Sequence, residues 1–143
     1  MMNKTLVAVA AALCLQAYAV SAHAGLLLAR VDIPSQTMTV SENGVTKYQW
    51  KVSTARPGYH TPAGDYTAKW LSRDHRSKKY DNAPMPFAVF FNGGYAVHGT
   101  NEVRRLGIPA SHGCVRLQTA NAATFFSLAS QAGLENTRIV ISQ

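Results

Sequence analysis

Apolar and polar positions change rhythm several times along the chain, and each change predicts an element. Leu6 to Val20 is an almost unbroken apolar run. From Leu26 onward, short alternating stretches take over. Leu26 to Ile33 reads as a strand. Gln36 to Ser41 and Val45 to Ser53 read as the arms of a hairpin, with Asn43-Gly44 supplying the positive-φ turn. In the second arm Tyr48, Trp50 and Val52 recur at every second position, so they share one face. Arg56-Pro57-Gly58 and Thr61-Pro62-Ala63-Gly64 break the pattern with loop residues. Asp65 to Leu71 resumes it, with Tyr66, Ala68 and Trp70 on one side. Phe87 to Phe91 and Tyr95 to His98 read as strands flanking Asn92-Gly93-Gly94. A helical period holds from Ala120 to Ala132, where Phe125, Ala129 and Ala132 form a stripe with Phe126 beside it. Thr119 is placed to cap its start and Gly133 its end. Arg138 to Ile141 reads as a closing strand. Together these elements predict a mainly β, sandwich-like fold with one main helix. The expected core includes Tyr48, Trp50, Tyr66, Trp70 and Phe125, each contributing about 2 kcal/mol or more on burial.

Length and composition narrow the class. A chain of 143 residues fits one domain, and 47% hydrophobic against 15% charged residues fits a folded protein. The first apolar run follows Lys4 and ends in Ser21-Ala22-His23-Ala24, an A-x-A cleavage pattern. Residues 1–24 are therefore read as a secretory signal segment and 25–143 as the exported domain. The run is shorter than the roughly 20 residues a bilayer span needs, so no stable membrane insertion is expected after cleavage. Cys14 leaves with the segment, and Cys114 becomes the sole thiol of the exported chain. An unpaired cysteine in an oxidising compartment points to reactivity. Loss of Lys4 lowers the formal charge from +7 to +6. The basic residues are scattered without interleaved aromatics, which argues against nucleic acid and leaves a carboxylate-rich envelope polymer as the better neighbour. The run Arg73 to Lys79 reads as a solvated loop, with a lid as the alternative. Tyr80 and Tyr95 are open between packing and a role in the site.

The chemistry centres on "SHGCVRL", Ser111 to Leu117. A thiol with an ordinary pKa of about 8.5 needs a base or a positive environment to become a good nucleophile. An imidazole in reach supplies both as a thiolate–imidazolium pair. His112 is only two residues from Cys114, which limits its approach to the sulfur. His98, on a separate strand, is the expected base. With no acidic residue near either motif, a main-chain carbonyl is the expected orienter of the ring. Glycine at 113 lets the backbone turn N–H groups toward a developing oxyanion. Gly113 and Cys114 are the natural donors and His112 a third, each such donor being worth ~3 kcal/mol. The position of Cys114 ahead of the helix would also lower its pKa. Two other readings compete. An inert buried thiol is common for free cysteine, though seldom between His-Gly and Val-Arg. A zinc site from His98, His112 and Cys114 lacks regular ligand spacing. No metal or cofactor is expected.

At these residues the chain resembles a known family. "VHGT", Val97 to Thr100, followed by "SHGCVRL" is similar to the signature of the L,D-transpeptidase catalytic domain, the YkuD family. The upstream "TPAGDYT" (Thr61 to Thr67) and "MPFAVFFNGGYAVHG" (Met85 to Gly99) resemble it as well. The resemblance implies the fold of that domain, Cys114 as nucleophile and His98 as base. It also implies the Gly99 carbonyl as orienter, and Ser111, His112 and Gly113 as the loop shaping the oxyanion site. Ser111 and Arg116 are the expected substrate-contacting positions. The stretch between His98 and Ser111 is short for the family, and position 116 is arginine where part of the family has asparagine. Arg116 is open between gripping a substrate carboxylate and an ordinary ion pair. The implied substrates are peptidoglycan tetrapeptide stems, in the periplasm or cell wall. Cys114 would attack after the L-centre of diaminopimelate, release D-alanine, and pass the acyl group to an amine. An L,D-carboxypeptidase or cross-link hydrolase on the same scaffold is the alternative. A catalytically inactive wall-binding module is a third reading, which the intact His98, Gly113 and Cys114 set argues against.

Overall fold

The computed structural model describes residues 26–143, so the expected signal segment, its cleavage site and Cys14 lie outside the described residues. The strands are β1 (Leu27–Asp32), β2 (Thr37–Glu42), β3 (Val45–Lys51), β4 (Gly64–Thr67) and β5 (Trp70–Arg76). They continue as β6 (Pro84–Asn92), β7 (Tyr95–Thr100), β8 (Val115–Gln118) and β9 (Thr137–Ser142), with helix α1 (Thr119–Ala132) between the last two. One sheet has the order β3-β2-β1-β9-β4 and the other β5-β6-β7-β8. In the β2–β3 hairpin, Glu42 pairs with Val45 across Asn43 and Gly44, both at positive φ, as a tight two-residue turn requires. β9 runs parallel to β1, and β8 runs parallel to β7.

The two sheets enclose one main core. Leu27, Val31, Met38, Val40, Ile139 and Ile141 come from the first sheet, and Val89, Phe91, Val97, Val115 and Leu117 from the second. α1 packs chiefly on β6 and β7 and inserts Ala122, Phe125 and Ala129. It ends at Gly133, whose φ of 90° disfavours any residue with a Cβ. Gln118, rather than Thr119, holds the N-cap position without a side-chain capping bond, and the Thr119 hydroxyl donates to the Thr100 carbonyl.

Several expected elements divide differently. The alternation from Asp65 to Leu71 is not one strand. The amide of Ala68 bonds to Thr137 of the first sheet and that of Lys69 to Phe90 of the second. The chain changes sheets between those two residues, so Tyr66 joins the main core while Trp70 does not. Trp70 is 43% exposed and lies flat on Phe90, with ring centroids 3.9 Å apart. Tyr48 is likewise exposed, on the edge strand β3. The first half of the basic run is β5 rather than loop, and Arg73 lies over the rings of Phe87 and Phe126. A four-residue strand, β8, separates Cys114 from α1, so the nucleophile loop does not lead directly into the helix.

Candidate active site

The β7–β8 ladder sets the frame. Val97 pairs with Val115 and His98 with Arg116, so His98 and Arg116 project side by side from one face. Cys114 precedes β8 by one residue, diagonal to His98 on that same face. Both line a cavity of about 420 Å³. Tyr80 from the β5–β6 turn, Pro84 at the start of β6, Tyr95 from β7, and Asn101 and Glu102 after β7 also line it.

His98 is 5% exposed. Its Nδ1–H donates to the Gly99 carbonyl at 2.7 Å, which leaves Nε2 as the basic nitrogen. Burial pushes its pKa down to about 4, with the Gly99 bond opposing and the charges of Arg116 and His75 adding to the fall. Gly99 itself is needed for space. A Cβ there would come within 3.0 Å of Thr119 Cα and 3.1 Å of Pro86 Cγ.

The Cys114 sulfur sits 3.8 Å from the Gly94 carbonyl and packs against a small cluster of Met85, Ala88, Phe90 and Ala96. Burial pushes its thiol pKa up, opposed by a main-chain bond at Ala96 and the charge of Arg116. Both shifts favour the uncharged forms, thiol and imidazole, over the ion pair expected from sequence. Phe87 explains how that cluster forms. Its φ of 54° is uncommon for a bulky residue. The twist sends its ring to Phe126 on the helix side while Met85 and Ala88 both face the sulfur, which regular alternation would not allow.

The loop from Ser111 to Cys114 is held by its own hydroxyl. Ser111 Oγ donates to the Cys114 carbonyl at 2.7 Å and accepts the Gly113 N–H at 3.0 Å. The Gly113 amide, one of the expected oxyanion donors, is thus engaged within the loop. Gly113 has φ 136°, and a Cβ there would lie 2.6 Å from Tyr95 Cε1 and 2.8 Å from the His60 carbonyl. No other residue fits.

Neighbouring segments secure this loop from the far side. Thr61 is buried; its hydroxyl donates to the Gly113 carbonyl and accepts the Ala55 N–H, both at 2.9 Å. Ser53 and Arg116 exchange two main-chain bonds, and the Arg56 N–H donates to the Ser111 carbonyl. Buried Gln36 clasps Thr54, donating from Nε2 to its hydroxyl and accepting its N–H. Thr61 was visible only inside the "TPAGDYT" motif, and Gln36, Ser53 and Thr54 carried no sequence signal.

The remaining expected residues lie around the mouth. Arg56 Nη2 donates to His112 Nε2 at 2.8 Å, and Tyr80 stacks on the His112 ring at 4.1 Å and 10°. His112 thus faces Arg56 and Tyr80, and its pKa is lowered by desolvation first and the charges of Arg56 and Arg116 next. Arg116 Nη1 donates to Glu102 Oε2 at 3.4 Å, a carboxylate that sequence reasoning had not paired with it. Among the described residues no three His, Cys, Asp or Glu side chains are gathered for a metal ion.

The L,D-transpeptidase catalytic domain family, YkuD, matches residues 28–141. Among solved structures, the chain is similar to an L,D-transpeptidase from Mycobacterium smegmatis, with 25% identity, TM-score 0.74, and 83% of this chain covering 59% of that one. An L,D-transpeptidase in complex with imipenem gives 26% identity, TM-score 0.73, and coverage of 82% and 59%. An L,D-transpeptidase from Stackebrandtia nassauensis gives 26%, 0.71, and coverage of 82% and 55%. The chain thus spans less than two thirds of the length of each. No curated protein matches it.

Proposed function

Because the chain belongs to the L,D-transpeptidase catalytic domain family, we propose that it is an exported acyltransferase acting on peptidoglycan stem peptides through a thioester at Cys114. The observation that carries this reading is the buried His98 ring. It is fixed through Nδ1 to Gly99, with its basic Nε2 left for the cavity it shares with the Cys114 thiol.

The mechanism starts from neutral partners. As Sγ attacks the carbonyl after the L-centre of diaminopimelate, His98 Nε2 takes the thiol proton. Negative charge gathers on the carbonyl oxygen, and the Cys114 amide stabilises it. The C–N bond then breaks, the imidazolium returns its proton to the departing D-alanine amine, and the thioester remains. An amine of a second stem attacks, His98 Nε2 removes its proton, and the C–S bond breaks. The proton returns to sulfur, leaving one new amide and a free thiol. Burial favours uncharged His98 between steps, so the imidazolium lasts only while a negative partner faces it. Arg116, already beside Glu102, offers a cation to substrate carboxylates. The 1–24 segment would direct the domain to the periplasm or cell wall.

The test is to incubate the protein with disaccharide-tetrapeptides and follow products by mass. Cross-linked dimers support transfer. Tripeptide monomers alone would reassign the enzyme as a hydrolase. A carbapenem adduct present in the wild type and lost in Cys114→Ala supports the acyl-enzyme, and its absence from the wild type would overturn it.

A further inference from the structure

A second cavity, about 320 Å³, opens where β3 meets the start of α1. Trp50 forms part of its wall and stacks on Tyr48, with ring centroids 4.9 Å apart and planes at 25°. Val103 and Leu106 add apolar surface, and the carboxamides of Gln49, Gln118 and Asn121 line it too. The same loop walls both cavities: Asn101 and Glu102 face the catalytic one, Val103 and Leu106 the second.

The geometry points to this groove as a binding site for a sugar ring of the glycan strand whose stem is attacked at Cys114. The inference rests on the stem-peptide reading above. Its chemistry differs from that of the catalytic cavity. There Lys79 and Arg116 offer cations suited to a carboxylate-bearing peptide. Here Lys51 is the one charged residue in the lining, and the polar groups are neutral amides that both donate and accept. Hydroxyl and acetamido groups of a sugar need such partners. The indole supplies apolar surface for the C–H face of a pyranose ring, at small entropic cost because Tyr48 and the main core already hold it in place.

Distance agrees. Arg116 and Gln118 lie on one face of β8, in register with His98 and Thr100 on β7. From Cys114 to Gln118 is four residues along this ladder, about 13 Å. Three extended stem residues separate the attacked carbonyl from the sugar and span about 10 Å, which the linkage through the glutamate side chain and the lactyl group lengthens. A stem lying along β8 therefore delivers its sugar to Trp50.

The experiment has two arms. First, the full chain is titrated with a peptide-free N-acetylglucosamine–N-acetylmuramic acid tetrasaccharide and followed by NMR. The expected result is a saturable shift of the Trp50 indole N–H and of the Gln118 and Asn121 side-chain amides. No shift there, or shifts centred on Trp70 instead, overturns the site. Second, KM is measured for disaccharide-tetrapeptide and for free tetrapeptide. Trp50→Ala and Gln118→Ala should raise KM for the first about tenfold and leave KM for the second and the carbapenem acylation rate unchanged. Gln118→Ala serves if Trp50→Ala fails to fold. Equal wild-type KM for both substrates defeats the groove while the acyltransferase reading stands. A wild type that neither turns over nor acylates defeats the acyltransferase reading, and the glycan titration still decides the groove.

Discussion

Replacing His98 with glutamine should change how stability depends on pH. The folded imidazole stays neutral down to about pH 4, chiefly because it is buried. In the unfolded chain it titrates near 6.5. Between these values the unfolded state holds a proton that the folded state refuses, so stability falls as pH falls. The contribution is fully present above about 6.5 and fully lost below about 4, and its size follows from the separation of the two values, about 3 kcal/mol. Urea unfolding of wild type and His98→Gln at several pH values from 7.5 to 4.5 reads it directly. Carboxylates titrate in both proteins and largely cancel in the difference. Wild type should lose about 2–3 kcal/mol more than the variant over this interval. Parallel curves would mean that the ring ionises normally in the fold, and the neutral-pair account of the site would be wrong. The same value sets the acid limb of kcat/KM, which should fall near pH 4 rather than near 6.5.

Three further outcomes follow from the site. Alkylation of Cys114 by iodoacetamide should be slow at pH 7 and still rising at pH 9, because burial raises the thiol pKa; a rate already level from pH 6 to 9 would indicate a preformed thiolate. Gly113→Ala should abolish acylation by a carbapenem, since its Cβ cannot be placed beside Tyr95 and His60; retained wild-type acylation would show that the loop does not need its observed path. Thr61→Val keeps shape but removes a hydroxyl bonded to Gly113 and Ala55. It should cost about 1–3 kcal/mol in urea unfolding and lower the acylation rate, and an unchanged protein on both counts would remove Thr61 from the support of the loop.

The strands and the helix were legible where period and punctuation agreed. Asn43-Gly44 fixed the β2–β3 turn, and Phe125 with Ala129 gave α1 its buried face. Asp65 to Leu71 misled because an alternating stretch looks the same whether its partners belong to one sheet or two; only the bonds of Ala68 and Lys69 separate them. Residue type alone points Trp70 and Tyr48 to the core, yet their edge strands leave both exposed. At the site, His98 and Cys114 were legible as a thiol and an imidazole on separate elements, and the structure brings them to one cavity. The direction of the Cys114 shift was not legible, because it depends on burial against Met85, Ala88 and Phe90 and so on the backbone twist at Phe87. The engagement of the Gly113 amide by Ser111 Oγ was equally hidden, being a matter of loop conformation rather than composition.

β9 has a consequence for how the chain reaches this state. It lies inside the larger sheet, between β1 and β4, and brings Ile139 and Ile141 to the core. A polypeptide that appears from its amino end must wait for this segment before β1 and β4 can join. Pairing across such a sequence separation is slow to form. The larger sheet is therefore the last to close, after every strand of the β5-β6-β7-β8 sheet is already in hand.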